Sequence, residues 1–457
     1  MKEARNRVVQ VRRFGGPEDL EVVDAPLPRA GRNEVRVRVL ASGLEYTDVV
    51  IRRHLYPQTM RRRPPFVLGY DVVGEIDQVG DGVRGFQLAD RVADLTVLGS
   101  NAGYRTLRAS DLTRVPAGVD AAEAAALILS WTTAYQLLHR AARVQQGERV
   151  LVQGAAGAVG QALVVLGRLA GLELWGTARS VHAALIRELG ATPIDYQRED
   201  VTRILPGGFD VVFDGIGENG YRRSFAALKR GGMVCAYGYT ARVQAQRRLL
   251  TILMWIARVY LWRRLLSWLP GGKRLRVYSI NVMRARHPTW FQEDLERLFG
   301  LLATGTIRPR VAERISFNEV AEAHRRLEAA VSRASSFYAP TFRCGAAGCR
   351  LEVSPGMEFY EMNNVVRSPT THLGPNKSGL VLGSLVGGWH LLWAIVVAVG
   401  WGQPWIDFIF WLHFLKPVFV VEPFAIGRAI VLILVTAAIG YLMGLLGAVF
   451  WNRLQTR

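Results

Sequence analysis

The opening quarter of the chain alternates apolar and polar positions. Val35-Arg-Val-Arg-Val39 repeats with period two, and Gly80-Asp-Gly82 and Gly85 punctuate later runs. Such alternation predicts strands with one buried face, so residues 1–125 read as a β-rich domain. From residue 126 the rhythm changes. Short apolar runs at 150–152, 173–177, 193–196, 211–214, 233–237 and 277–280 are separated by stretches of helical period such as 181–189 and 221–228. Six strands joined by crossover helices predict a doubly wound parallel sheet over residues 126–280. Two more helical stretches over 281–330 return the chain to the first domain. Residues 331–378 are rich in Ser, Gly, Pro and Asn without a sustained period and read as a linker.

Two uncharged apolar runs follow, 379–401 and 429–451, of 23 residues each. At roughly 1.5 Å per residue each reaches about 34 Å, enough to cross a hydrocarbon layer of roughly 30 Å. Half of the twelve tryptophans lie in 389–451, several near the run ends, as in an interfacial belt. Gly383-x3-Gly387 and Gly440-x3-Gly444 would let two helices pack closely. Residues 379–457 are therefore expected to form a transmembrane helical hairpin. A buried globular hairpin is the competing reading. Arg367 and Lys377 before the first run and Arg453 and Arg457 after the second outweigh the balanced loop between them. Both ends are thus expected in the cytoplasm, giving a multi-pass membrane protein whose larger part is cytoplasmic.

The sharpest local signal is Val150-Leu-Val-Gln-Gly154-Ala-Ala-Gly157-Ala-Val-Gly160. An apolar strand runs into glycines spaced three apart and then into a helical pattern. Small residues let backbone approach a pyrophosphate, and the helix start offers unpaired N–H groups to it. Ala156, Gly157, Ala158, Val159 and Gly160 are the candidate cradle.

Charge adds a second theme. The net charge is +19, and nine positive residues with no acidic one lie between Arg242 and Arg276. Nucleic acid is the generic partner of such a segment. Its Leu, Ile and Trp content favours an anionic membrane surface instead, and no nucleic-acid partner is expected. The stretch 249–268 reads as an amphipathic helix that could dip into a membrane, or as a dimer contact or solvated helix. Three cysteines and a basic start without an apolar core fit a cytosolic, disulfide-free enzyme domain. Cys344-x4-Cys349 has no second Cys/His pair, so it is not read as a metal knuckle.

Several ordered motifs within residues 1–330 carry a family resemblance. They are Ala41-Ser-Gly-Leu-Glu-Tyr-Thr-Asp48, His54-Leu-Tyr56-Pro57, Gly69-Tyr-Asp-Val-Val-Gly74, Asp90-Arg-Val92, Trp131-Thr-Thr-Ala-Tyr135, the glycine turn, Val211-Val-Phe-Asp-Gly-Ile-Gly217 and Ala236-Tyr-Gly238. In this order they resemble the medium-chain dehydrogenase/reductase superfamily. Within it they are similar to the zinc-free quinone oxidoreductase branch, which includes zeta-crystallin and vesicle amine transport protein relatives. The resemblance implies an α/β fold: a GroES-like β-rich domain plus a Rossmann sheet, here followed by the membrane hairpin. Zinc-dependent members use Gly-His-Glu where this chain has Gly69-Tyr70-Asp71, and a cysteine near Glu45, so no metal is expected.

The resemblance also implies a nicotinamide cofactor lined by Tyr46, Thr133, Ala156–Gly160, Gly217, Tyr237 and Gly238. The strand predicted at 173–177 ends without the acidic residue that bonds a ribose 2′-OH in NAD sites. Arg179 follows it, able to fork onto a 2′-phosphate or to be a loop charge, and Tyr196 resembles the tyrosine beside that phosphate in NADPH-using relatives. NADPH is therefore the expected cofactor, although the lysine usual in this loop is missing. Tyr56 matches a tyrosine near the nicotinamide in enoyl-reductase relatives, where it is a candidate acid; a pocket-wall aromatic is the alternative. Glu45 replaces the family's asparagine and could act as a base, pair with an arginine, or abolish turnover.

The expected function is hydride transfer to a quinone or α,β-unsaturated carbonyl, with a lipophilic substrate and a homodimer as the family default. The alternative is a catalytically weak, nucleotide-sensing membrane adaptor. The segment after residue 330 does not match the family's closing turn and strand, so the catalytic domain is expected to lack that strand. A natural fusion, a frameshift and an anchored enzyme are all compatible with the tail.

Overall fold

The computed structural model describes residues 5–217, 221–238, 272–332, 341–343, 375–412 and 420–455. The basic helix expected at 249–268 and the Cys344–Cys349 pair lie outside them. The chain divides into two compact units, Met1–Glu352 and Val353–Arg457.

In the first unit, strands β1 (Arg5–Val11), β2 (Leu20–Pro26), β3 (Glu34–Gly43), β4 (Phe66–Val67), β5 (Asp71–Val79), β6 (Arg91–Leu95), β7 (Tyr104–Arg108) and β8 (Thr113–Arg114) build the β-rich part. The period-two segment is the spine of β3: Val35, Val37 and Val39 are all buried, and the intervening arginines are half-buried at the surface. β3 pairs antiparallel with β5 on one side along most of its length, and with β7 over residues 34–38. Those valines join Val72, Ile76, Val92, Leu107 and Leu112 in one apolar layer.

Strands β9 (Arg149–Gln153), β10 (Glu173–Ala178), β11 (Thr192–Asp195), β12 (Phe209–Asp214), β13 (Leu228–Ala236) and β14 (Arg274–Val277) form a six-stranded sheet in the order β11-β10-β9-β12-β13-β14, every pair parallel. This is the doubly wound order whose reversal, beside β9, opens a crevice at the strands' carboxyl ends. Five predicted strands are found close to their expected places. The sixth is displaced: the strand is Arg274–Val277, and residue 280 already begins a helix, Ile280–Arg286. Its alternation of exposed Arg274 and Arg276 with buried Leu275 suits the edge position and hides it from a search for apolar runs.

The expectation of a missing closing strand is corrected. β15 (Arg314–Ile315) pairs in parallel with β16 (Thr341–Arg343), and β16 pairs antiparallel with residues 41–43 of β3. This strand lies inside the stretch read as linker. It completes a seven-stranded sheet by backbone hydrogen bonds, which leave no apolar signature.

The second unit contains helices Pro375–Ala398, Gly402–Leu412 and Ile426–Gln455. Within them, Ser378–Ala398 and Ile426–Val449 are long and apolar enough to cross a membrane by length and composition. The two long helices meet through small residues. A Cβ on Gly383 would stand 2.8 Å from the Ala437 carbonyl oxygen, and one on Gly444 2.4 Å from that of Ser378. Leu385, Trp389, Leu392, Leu434, Leu442 and Leu446 point away from this seam and are exposed.

Candidate active site

β9 ends at the glycine turn. Gly154 adopts φ +73°, a conformation that favours glycine, and the chain then enters the Ala158–Leu169 helix through Gly157. No side chain caps that helix start. Its first N–H groups therefore need an acceptor from elsewhere, and a bound anion would supply one. A Cβ on Gly160 would stand 2.3 Å from the Gly154 carbonyl oxygen and 2.8 Å from Ala155 Cα. The helix and the turn are thus in direct backbone contact. Thr177 fixes the turn by donating to Gln153 Oε1 at 2.8 Å and accepting from Gly154 N at 3.0 Å.

A pocket of about 390 Å³ runs from this turn to the β-rich part. Gly154, Gly157, Ala158, Val159 and Gly160 line one end, and Tyr46, Thr133, Tyr237 and Gly238 also face it. Ala156 is buried and does not line the pocket; its carbonyl accepts from Gln161 at 2.7 Å. Gly217 also lies off the lining, its N–H held by Asp214 Oδ1 at 3.0 Å. Arg179 and Tyr196 lie off the lining as well, at the ends of β10 and β11, where Tyr196 N donates to the carbonyl of Ala178 at 3.3 Å. Arg179 Nε is buried and without a hydrogen-bond partner among the described residues. The uncapped helix start and this orphaned guanidinium nitrogen are donors that fit a dinucleotide's pyrophosphate and an additional phosphate.

The opposite wall is built around the short helix Tyr46–Arg52. Glu45 precedes it, accepting from Ser130 Oγ at 2.8 Å, while its own N–H donates to Asp48 Oδ2 at 3.0 Å. Asp71 Oδ1 accepts from Gly43 N at 2.6 Å. No cation partners these three carboxyls among the described hydrogen bonds and ion pairs. Burial raises all three pKa values, Asp48 to about 7, and like-charge repulsion from Glu45 pushes Asp48 and Asp71 further up. Glu45 therefore faces the pocket with its pKa raised by burial and partly offset by the Ser130 hydrogen bond, and no arginine pairs with it among the described residues. Burial also pushes the Tyr46 phenol up to about 12.

Tyr56 and Tyr70 project from separate segments, and their hydroxyl oxygens lie 2.5 Å apart. Asn281 Nδ2 donates to both, at 3.0 Å to Tyr56 and 2.6 Å to Tyr70. Tyr70, Asn281 and Ser130 are the residues that sequence reasoning did not assign to the site. Tyr70 was read only as a missing metal ligand. Asn281 had no motif at all. Among the described residues no cluster of three or more His, Cys, Asp or Glu side chains is arranged to hold a metal ion.

A two-part subunit with a nucleotide-binding crevice against a β-rich domain is the architecture of a dinucleotide-dependent dehydrogenase or reductase. Residues 31–117 match the alcohol dehydrogenase GroES-like domain and residues 189–334 the zinc-binding dehydrogenase family. The chain is 32% identical over 340 residues to a quinone oxidoreductase of Pseudomonas aeruginosa, covering 73% of this chain and 99% of that protein. It is 29% identical over 338 residues to the human synaptic vesicle membrane protein VAT-1 homolog, covering 69% of this chain and 81% of the relative. The Escherichia coli quinone oxidoreductase complexed with NADPH superposes with a TM-score of 0.62 at 25% identity, over 74% of this chain and 100% of that one. The chain belongs to the medium-chain dehydrogenase/reductase superfamily, with quinone oxidoreductase and VAT-1-like relatives.

Proposed function

We propose that the protein is an NADPH-dependent reductase that passes hydride to a quinone or an α,β-unsaturated carbonyl, with its catalytic part held at the cytoplasmic face of a membrane. The observation that carries this reading is one pocket lined both by the glycine turn and by Tyr56. A reduced nicotinamide bound there supplies hydride. Gly157–Gly160 would hold the pyrophosphate, and Arg179 with Tyr196 the 2′-phosphate, as the missing acidic residue after β10 suggests. Gly217 would shape the turn beside the cofactor through its bond to Asp214. Thr133, Tyr46, Tyr237 and Gly238 would orient the ring against the substrate space. Tyr56 would give a proton to the acceptor as charge develops on it, the role of a positioned general acid. Burial raises the Glu45 pKa, which disfavours a fixed negative charge beside the pocket that would repel a developing oxyanion.

Val50, Leu129, Ile280 and Val282 line the substrate end, and Val282 is exposed. An apolar wall of this kind suits a lipophilic acceptor. The two long apolar helices support a membrane anchor, and a homodimer is the family default.

The test is NADPH oxidation by the full-length protein in detergent, across quinones and enones, with NADH in parallel. Turnover that prefers NADPH and falls about a hundredfold in Tyr56→Phe supports the reading. Binding of NADPH without turnover of any acceptor would favour the nucleotide-sensing adaptor.

A further inference from the structure

Tyr70 is fully buried, which makes its hydroxyl costly unless it is bonded. That hydroxyl is bonded to Tyr56 and Asn281. Two phenol oxygens 2.5 Å apart share one O–H proton between them, and the Asn281 amide can only donate from its nitrogen, which reaches both oxygens. Tyr56 is the less buried member of the pair, both rings line the pocket, and Asn281 reaches their hydroxyls from the helix after β14. Either hydroxyl can donate across that contact; in the arrangement where Tyr70 does, the Tyr56 proton is left for the pocket.

We infer that Tyr70 and Asn281 are positioning residues that make Tyr56 an oxyanion-binding acid for a carbonyl oxygen. The inference rests on the reductase reading of the same pocket and names its substrate class: acceptors whose carbonyl takes up negative charge as the conjugated carbon is reduced. In the step, the Tyr56 O–H bond breaks, a new O–H bond forms on the carbonyl oxygen, and the electron pair stays on the phenol oxygen. The Tyr70 O–H and the Asn281 N–H then both donate to that phenolate, and water returns the proton. Hydrogen bonds to an ionised acceptor are the strong ones. A neutral phenol gains less from a donated hydrogen bond, so donation from Asn281 offsets part of the burial that holds the Tyr56 phenol well above its ordinary value.

Two measurements on the full-length protein test this. The first is binding of 4-nitrophenol in the presence of NADP⁺, read by the absorbance of the bound phenolate, for wild type, Tyr56→Phe, Tyr70→Phe and Asn281→Leu. The expected result is phenolate bound by wild type, binding weakened roughly tenfold or more in Tyr56→Phe from the loss of one charge-assisted donor, and by a smaller factor in Tyr70→Phe and Asn281→Leu, which lose a group that orients that donor. The second is the pH profile of kcat/KM. Its basic limb should vanish in Tyr56→Phe and move to higher pH, with lower kcat, in Tyr70→Phe, a shift that a purely structural role would not give. Tyr70→Phe keeps the ring and carries the test if Asn281→Leu does not fold. Equal nitrophenolate binding by wild type and Tyr70→Phe, or none by wild type, overturns the inference. Loss of binding in the variants alongside a wild type that oxidises NADPH with no acceptor would reject the reductase reading while upholding the oxyanion site.

Discussion

Gly160 is where fold and site make the same demand, and Gly160→Ala should damage both. The added Cβ meets the Gly154 carbonyl oxygen at 2.3 Å and Ala155 backbone carbons at 2.8 and 2.9 Å. None of these atoms can swing away as a side chain could. The helix must therefore move off the turn by several tenths of an ångström or more. Overpacking of this kind costs about 1–3 kcal/mol. In domains of 150–250 residues each kcal/mol lowers the melting temperature by about 2–4 °C, so a fall on the order of 5 °C is expected. The displaced helix also carries the N–H groups offered to the pyrophosphate. Saturating NADPH at about 100 times its Kd stabilises the wild type by about 2.7 kcal/mol, and this protection should shrink in the variant. Thermal melts with and without NADPH measure both effects. A Gly160→Ala protein with wild-type melting and wild-type NADPH protection would refute the close helix–turn contact and the cradle built on it.

Other consequences are as specific. Arg179→Ala should weaken NADPH binding roughly tenfold to a hundredfold, the value of about 1.5–3 kcal/mol for a hydrogen bond to a charged group, and leave NADH binding unchanged by calorimetry. Asp48 has its pKa raised by burial to about 7, above its ordinary 3.8, so the folded state holds this proton more tightly than the unfolded one. The resulting stability is fully present below about pH 4 and is lost as pH rises through 7. Melts at pH 5 and pH 8 should therefore differ less in Asp48→Asn than in the wild type; an unchanged difference would show that another group sets the dependence. Gly383→Leu should force the two long helices apart, because a Cβ there already meets the Ala437 carbonyl oxygen at 2.8 Å. Spin labels at Leu380 and Leu442 should report a longer, broader distance than in the otherwise wild-type protein.

The parts of the fold legible in the sequence were those with a local physical signature. β3 announces itself because its valines alternate with arginines across one sheet face. β9, β10 and β12 do so because strands buried on both faces read as apolar runs beside turns. β14 escaped because an edge strand can keep Arg274 and Arg276 in solvent. β16 escaped because three residues held by backbone pairing need no particular side chains. The glycine turn was readable since pyrophosphate binding constrains backbone conformation and neighbouring residue size. At the other end of the pocket only Tyr56 and Glu45 were. Tyr70 and Asn281 are 211 residues apart and meet only through long-range packing. Glu45 was visible as a departure from the family pattern, but its burial and its hydrogen bond from Ser130, which set the direction of its pKa, are revealed by no spacing in the chain.

The central claim is that hydride reaches an acceptor bound in the pocket beside Tyr56. The most direct measurement uses NADPH carrying deuterium at C4, on the pro-R and pro-S faces in separate reactions, with the full-length protein and an enone acceptor. Mass spectrometry and NMR of the product then locate the label. The account predicts one deuterium at the β-carbon, delivered from one face only. Product without label from either cofactor, or NADPH that stays bound and intact, would contradict it.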